Sequence, residues 1–364
     1  MIRRVAICAA LAAFLCALPS TAYAGPPRSF FGVAPQAPLS VDDLARMHKA
    51  GLGTLRTAFL WNQVDGGSQG AEPNWQSTDG IVIAAAEAHI SLLPVLYGTP
   101  TWVAGLDGNA CYPVCGAYAP QSPAAVAEWE RFVGEVVDRY GPNGSFWDLH
   151  PELPRTPLRT WQIWNEQNSG QSFAPRPDVD AYGRMLEAAA RAIRSRDPRA
   201  DIVLGGMFGN PGAGAYPGYT SWSYLHRLYG VRRIERWFDT VAIHPYSSSI
   251  SGMSDQVRRI REQMAGAHDD ARIWITEIGW ASGGVRHPLN KGMRGQATYL
   301  TKAFRYFLSH RHAWRISGVN WFSWRDAQGE FLCEWCPQSG LFPEGTGFTG
   351  KPSFRALLRL TGGS

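Results

Sequence analysis

The chain has 364 residues, 45% of them hydrophobic and 12% aromatic, with 15 Trp and a formal net charge of +5. That weak balance forms no basic stripe and gives no case for nucleic-acid binding. The length is large for one core, but barrels of alternating strands and helices reach it in a single domain.

The N-terminus opens on the basic stretch Met1-Ile2-Arg3-Arg4, runs apolar from Val5 to about Leu18, and reaches Ala22-x-Ala24 before Gly25. This order reads as a secretory signal peptide over 1–24, leaving 25–364 as the mature chain. The apolar run falls short of the ~20 residues that a spanning helix needs. Neither Cys8 nor Cys16 follows the small residues of a lipoprotein site. Cleavage removes Arg3 and Arg4, so the mature charge is +3. The expected location is extracellular or periplasmic, with no membrane association after cleavage.

Beyond Gly25, short apolar runs alternate with helical stretches. A strand is predicted at Phe30–Val33 and a helix from the capping box Ser40-Val41-Asp42-Asp43 to about Ala50. Strand Gly53–Ala58 precedes an Ala-rich helix at Gly80–His89, and strand Ser91–Leu96 follows it. A long connection, Thr99–Gln121, leads to a helix that starts at Ser122-Pro123 and ends at Gly141-Pro142. Then come strand Thr160–Asn165, helix Asp178–Arg196, strand Asp201–Leu204, helix Ser221–Tyr229, strand Thr240–His244 and helix Ser254–Gly266. Strand Arg272–Glu277, helix Gly292–His310 and strand Ser317–Phe322 lead to a second long connection, Arg325–Lys351, and a last helix at Ser353–Leu360. The strands are near-continuous apolar runs, as parallel strands buried on both faces are. Eight strands, each followed by a helix, predict a (β/α)8 TIM barrel of α/β class, with a large doubly wound sheet as the competing architecture.

Both long connections follow strand C-termini, the face where barrels carry their sites. Each holds a cysteine pair, Cys111/Cys115 and Cys333/Cys336. In an exported chain these read as disulfides of open connectivity, with a zinc site as the alternative. The many Trp are expected to divide between core and sugar-stacking surface. Trp61, Trp102 and Trp280 are candidate cleft platforms. No His-rich spacing suggests a metal, no phosphate loop follows a strand, and Gly-x-Ser-x-Gly is absent; no cofactor is expected.

Two carboxylates end otherwise apolar strands: Glu166 in Trp164-Asn165-Glu166 and Glu277 in Thr276-Glu277-Ile278-Gly279-Trp280. A charge at such a position is costly unless it is paired or used. Glycosidic cleavage needs a carboxylic acid for the leaving oxygen and a carboxylate for the anomeric carbon or a water.

These segments resemble the strand-4 Asn-Glu signature and the strand-7 nucleophile segment of glycoside hydrolase clan A, nearest to families 39 and 5. His244-Pro245-Tyr246 resembles the clan's His-x-Tyr element, and Arg56 sits like the arginine beside its nucleophile. Trp321-Phe322-Ser323-Trp324 is similar to the aromatic strand 8 that floors the sugar subsite, with Trp324 the favoured contact. The resemblance implies Glu166 as acid/base, Glu277 as nucleophile and Asn165 on the sugar 2-hydroxyl. Tyr246 and Arg56 would hold Glu277 charged, and His244 and Trp280 would join the substrate site. It implies a retaining O-glycosyl hydrolase acting on a β-linked polysaccharide or oligosaccharide; the long connections and many Trp point to an extended cleft and endo action, and a monomer is expected. A transglycosylase would use the same residues, and a binding barrel that has lost activity is the reading from another class.

Overall fold

The computed structural model describes residues 25–108, 111, 115–210, 218–329 and 333–364. The segment read as a signal peptide, 1–24, lies outside the described residues. Eight strands close into one parallel barrel in sequence order: β1 (Phe31–Ala34), β2 (Thr54–Leu60), β3 (Ser91–Tyr97), β4 (Thr160–Asn165), β5 (Asp201–Phe208), β6 (Thr240–His244), β7 (Arg272–Ile278) and β8 (Ile316–Phe322). β8 pairs back on β1 from Phe31↔Val319 to Ala34↔Phe322. All eight predicted strands are present, and closure removes the doubly wound alternative.

The main barrel helices are Val41–Lys49, Gln76–Glu87, Pro123–Tyr140, Val179–Arg196, Ser221–Leu228, Ile250–Gly266, Gly292–His310 and Pro352–Thr361. Their starts follow the caps. Ser40 and Asp43 form the reciprocal capping box, and Ser122 accepts from the Ala125 amide ahead of Pro123. Two starts were misread: the helix predicted from Gly80 begins at Gln76, and that predicted from Ser254 begins at Ile250, because Ser249 is the cap and accepts from the Gly252 amide. Among the described residues, no helix is long and apolar enough to cross a membrane.

Inside the barrel, Leu93, Val203 and Ala242 pack with Trp274. The Trp274 indole donates to Asn320 Oδ1 at 3.3 Å. Gly32 and Gly318 make room for this plug: a Cβ on them would lie 2.4 Å from Asn320 Oδ1 and 2.7 Å from Trp274 Nε1. Arg56 of β2 donates to Gln162 of β4 at 2.7 Å. These strands are not neighbours, so the bond crosses the lumen.

β5 departs most from expectation. The strand predicted at Asp201–Leu204 continues through Gly205-Gly206 to Phe208. The glycines are there because side chains lie against them. A Cβ would stand 2.1 Å from Gln167 Oε1 at Gly205 and 2.0 Å from His244 Nε2 at Gly206. The two cysteine pairs are local disulfides: Cys111–Cys115, with Cα atoms 5.0 Å apart, and Cys333–Cys336, at 5.4 Å. They stand in the connections after β3 and β8.

Gly206→Ala is therefore expected to overpack the barrel at His244 and lower stability by about 1–3 kcal/mol. Urea denaturation checks this, with Gly266→Ala, where a Cβ meets nothing within 4 Å, as the control. Equal midpoints for the two variants would show that the His244 contact imposes nothing.

Candidate active site

The end of β4 breaks strand alternation. In a regular strand successive side chains point to opposite faces. Gln162 faces the lumen. Trp164, of the same parity, is fully buried instead against Trp129 and Phe173 on the helical side and against Tyr97. Its backbone is left-handed, with φ 72°, and Glu166 follows at 47°. Such values are uncommon for residues with a Cβ and persist where packing over-determines them. Here the Trp164 indole also donates to the Ser172 carbonyl at 2.8 Å. The reversal carries Asn165, which regular alternation would send outward, to the strand mouth beside Glu166.

Arg56 is 7% exposed and gathers the site. It donates to Gln162 Oε1 at 2.7 Å, Asn165 Oδ1 at 2.6 Å and Glu277 Oε1 at 2.5 Å. Arg56 can only donate, so it fixes the Asn165 amide with its oxygen inward and its NH₂ turned away as a free donor. Glu277 Oε2 accepts from the Tyr246 hydroxyl at 2.8 Å and lies 3.5 Å from His244 Nδ1. That same nitrogen is 2.9 Å from Glu166 Oε1. The other Glu166 oxygen meets only Ser172 Oγ, at 3.5 Å. Single polar atoms of Glu166, His244 and Glu277 all lie within 4.8 Å of one another. Such a trio could in principle cradle a cation. Arg56 and Tyr246 already occupy both Glu277 oxygens, which makes it a poor ligand set.

Burial pushes the Glu277 pKa upward. The charges of His244 and Arg56, with the hydrogen bonds from Tyr246 and Arg56, outweigh it and hold the carboxyl below the usual range. Burial and the adjacent Glu277 charge drive the Tyr246 phenol well above its ordinary value, so it stays a donor. Burial and the Glu166 charge do the same to Tyr97.

The structure thus brings together Arg56, Asn165, Glu166, His244, Tyr246 and Glu277. It does not bring Trp280 and Trp324 with them. Both are fully buried. Trp280 packs on Tyr299 and Trp321 and donates to the Ser247 carbonyl. Trp324 donates to Asp43 and packs on Phe342. Trp61 is also fully buried, while Trp102 is partly exposed. On β8, Gly318 and Asn320 face the lumen, so Phe322 shares their side and Trp321 packs outward on Phe304; Trp324 has the parity of Phe322 but lies beyond the strand end, where it turns to Asp43 and Phe342. The aromatic surface at the site comes from residues passed over: Phe208, Phe322 and Trp335, each in ring contact with Tyr246. The strand-8 alternation was a legible signal for Phe322; nothing in the sequence singled out Trp335.

A closed (β/α)8 barrel with two carboxylates converging at its C-terminal mouth has the architecture of the glycoside hydrolase barrels. Residues 187–342 match the family model for the glycosyl hydrolase catalytic core. That stretch contains His244, Tyr246 and Glu277 and stops short of Arg56 and Glu166. The fold is similar to a family 39 glycoside hydrolase from Bacteroides cellulosilyticus, at TM-score 0.65 and 19% identity over 92% of this chain and 64% of that one. It is also similar to a monomeric β-xylosidase from Caulobacter crescentus, at TM-score 0.65 and 18% identity over 93% and 69%. A third similar structure is an intracellular xylanase from Thermoanaerobacterium saccharolyticum complexed with xylotriose, at TM-score 0.58 and 14% identity over 92% and 95%. The chain spans about two thirds of the first two proteins and nearly all of the third. At these identities the likeness establishes the fold. Comparison with curated proteins gave no match.

The Glu277 carboxyl is expected to titrate below the ordinary ~4.3 of glutamate. Tyr246→Phe and Arg56→Lys each remove a donor and should raise that midpoint. A depressed folded-state pKa stabilises the fold above the unfolded value, and this contribution is lost as pH falls through the depressed one. Acid unfolding should therefore begin at higher pH in both variants. Carbon-detected NMR of labelled glutamate, assigned with Glu277→Gln, reads the midpoint. No movement in either variant would refute the arrangement.

Proposed function

We propose that the chain is an exported, retaining glycoside hydrolase that cleaves β-linked polysaccharide or oligosaccharide, with Glu166 as acid/base and Glu277 as nucleophile. The observation that carries this reading is the approach of the two carboxylates, with an oxygen of each within 4.8 Å. Retaining enzymes hold their carboxyls ~5–5.5 Å apart, whereas inverting ones leave ~6.5–9.5 Å for a water between them.

The surroundings support the division of roles. Glu277 is held charged by Arg56 and Tyr246, as a nucleophile must be. Its oxygen attacks the anomeric carbon while Glu166 gives its proton to the departing glycosidic oxygen. A glycosyl ester on Glu277 and a free alcohol result. Glu166, now ionised, takes a proton from water, whose oxygen displaces Glu277 and restores both groups. The free Asn165 amide is a donor for the sugar 2-hydroxyl, a bond that strengthens as charge develops on the ring.

Export is supported by the N-terminal sequence and by the two disulfides, which suit an oxidising compartment. Endo action is supported by the two long connections at the strand mouths, each stiffened by a disulfide. The similarity to a β-xylosidase and a xylanase makes β-linked xylose polymers and aryl β-xylosides the first substrates to try, on a monomeric enzyme.

Azide rescue tests the roles. Glu277→Ala and Glu166→Ala are each expected to lose about 10⁴-fold or more in kcat with ordinary substrates. With an activated aryl glycoside and azide, Glu277→Ala should yield the glycosyl azide of inverted configuration, and Glu166→Ala the azide of retained configuration. The reverse pattern would exchange the two roles. Full activity in Glu277→Ala would end the nucleophile assignment.

A further inference from the structure

The Cys333–Cys336 disulfide closes a loop of two intervening residues, Glu334 and Trp335. The second cysteine is pinned to the barrel. The Cys336 carbonyl accepts from Gln36 Nε2 at 2.8 Å and from Ser339 Oγ at 2.7 Å. The residues after it are held as firmly. The Gln338 carbonyl accepts the Ser282 amide at 2.9 Å, and the Ser339 carbonyl accepts the Gln296 amide side chain at 3.1 Å and the Trp321 indole at 3.2 Å. These anchors come from the connections after β1 and β7, from helix Gly292–His310 and from β8. The disulfide ties Cys333 to that fixed point, so Trp335 is held from both sides.

The Trp335 ring is 7% exposed and lies edge-on to Tyr246, with centroids 5.1 Å apart and planes at 64°. It also meets Phe322 at 6.0 Å, and Phe322 meets Tyr246 at 6.2 Å. Three rings thus brace one another in edge-to-face contacts, an arrangement with a defined geometry. One of the three carries the hydroxyl that donates to Glu277 Oε2. Phe208 supports Tyr246 separately, at 5.7 Å. Phe208 and Phe322 belong to barrel strands and are fixed by them. Trp335 belongs to the connection after β8, so its place depends on how that connection is tied down.

We propose that Trp335, held by the Cys333–Cys336 disulfide, is a positioning residue for the nucleophile: it fixes the Tyr246 ring and thereby aims its hydroxyl at Glu277. This rests on the reading of Glu277 as nucleophile, and it gives the C-x-x-C pair a task beyond protecting a loop. The groups facing Glu277 are Arg56 from β2, Glu166 from β4, and His244 and Tyr246 from the end of β6. Trp335 touches only the last of these. Its loss should therefore act through the Tyr246 bond and leave those of Arg56 and His244 in place.

The test is the Glu277 titration midpoint, read by carbon-detected NMR without any substrate. A protein without glycosidase activity would still give an answer, so failure here and failure of the azide experiment are separate results. Trp335→Ala and the double variant Cys333→Ser/Cys336→Ser are expected to raise the midpoint by about 1 pH unit, in the direction of Tyr246→Phe. Trp335→Phe, which keeps a ring against Tyr246, should restore most of the wild-type value. Cys111→Ser/Cys115→Ser should leave it unchanged. Adding Trp335→Ala to Tyr246→Phe should give no further rise, because both act through one bond. If Trp335→Ala does not fold, the Cys333/Cys336 variant and Trp335→Phe decide. A wild-type midpoint in both the Trp335→Ala and the Cys333/Cys336 variants, with a lower melting temperature alone, would assign Trp335 to packing and overturn the proposal. So would a Tyr246→Phe variant that titrates like the wild type.

Discussion

The active end of this barrel depends on one guanidinium. Arg56 is nearly enclosed by protein, and a charge there is tolerable only if its donors are satisfied. It reaches three acceptors on three residues, Gln162 and Asn165 of β4 and Glu277 of β7. Lysine could not do this: a single ammonium cannot span the fork. From that constraint the rest follows. One oxygen of Glu277 is fixed and the Asn165 amide is oriented. Gln162 is held in turn by Arg56 and by the Leu204 carbonyl, to which it donates at 3.0 Å.

Such a hub explains why β4 has an irregular end. A regular strand cannot send Gln162, Asn165 and Glu166 to the same mouth, because alternate residues face opposite sides. The left-handed turn at Trp164 resolves the conflict, and the indole packed among Tyr97, Trp129 and Phe173 anchors it. The glycines of β5 answer a related demand. Gln167 and His244 lie against Gly205 and Gly206, so two side chains at the mouth need two neighbours without one. Local conformational cost and local sequence irregularity both gather where the carboxylates converge.

The same facts show what could be read from the residues alone. The eight strands were legible because parallel strands buried on both faces are apolar throughout. The carboxylates were legible because each ends such a run. The end of β5 was placed too early, at Leu204, since what Gly205 and Gly206 accommodate are side chains distant in sequence. The tryptophans misled more, because stacking on sugar and packing under helices ask for the same ring. Trp280 and Trp324 took the second role, with each indole N–H bonded inside the protein. Phe322 was recoverable from strand parity. Trp335 was not, since a residue in a long connection carries no periodicity to place it. The leader expected over 1–24 lies outside the described residues.

The two carboxylates differ in what surrounds them, and in the proposed roles this difference separates nucleophile from acid/base. Glu277 accepts from a guanidinium and a phenol and has an imidazole nitrogen 3.5 Å away, which together hold its carboxyl below the usual range. Glu166 has one close partner, the His244 nitrogen it shares with Glu277, and a long contact to Ser172. A group that must give up a proton and recover it within one cycle cannot be over-stabilised in either state. In the proposed roles the sparse environment of Glu166 is thus as functional as the crowded one of Glu277. His244 touches both: its Nδ1 lies 2.9 Å from Glu166 Oε1 and 3.5 Å from Glu277 Oε2, so one nitrogen stands between the two carboxylates.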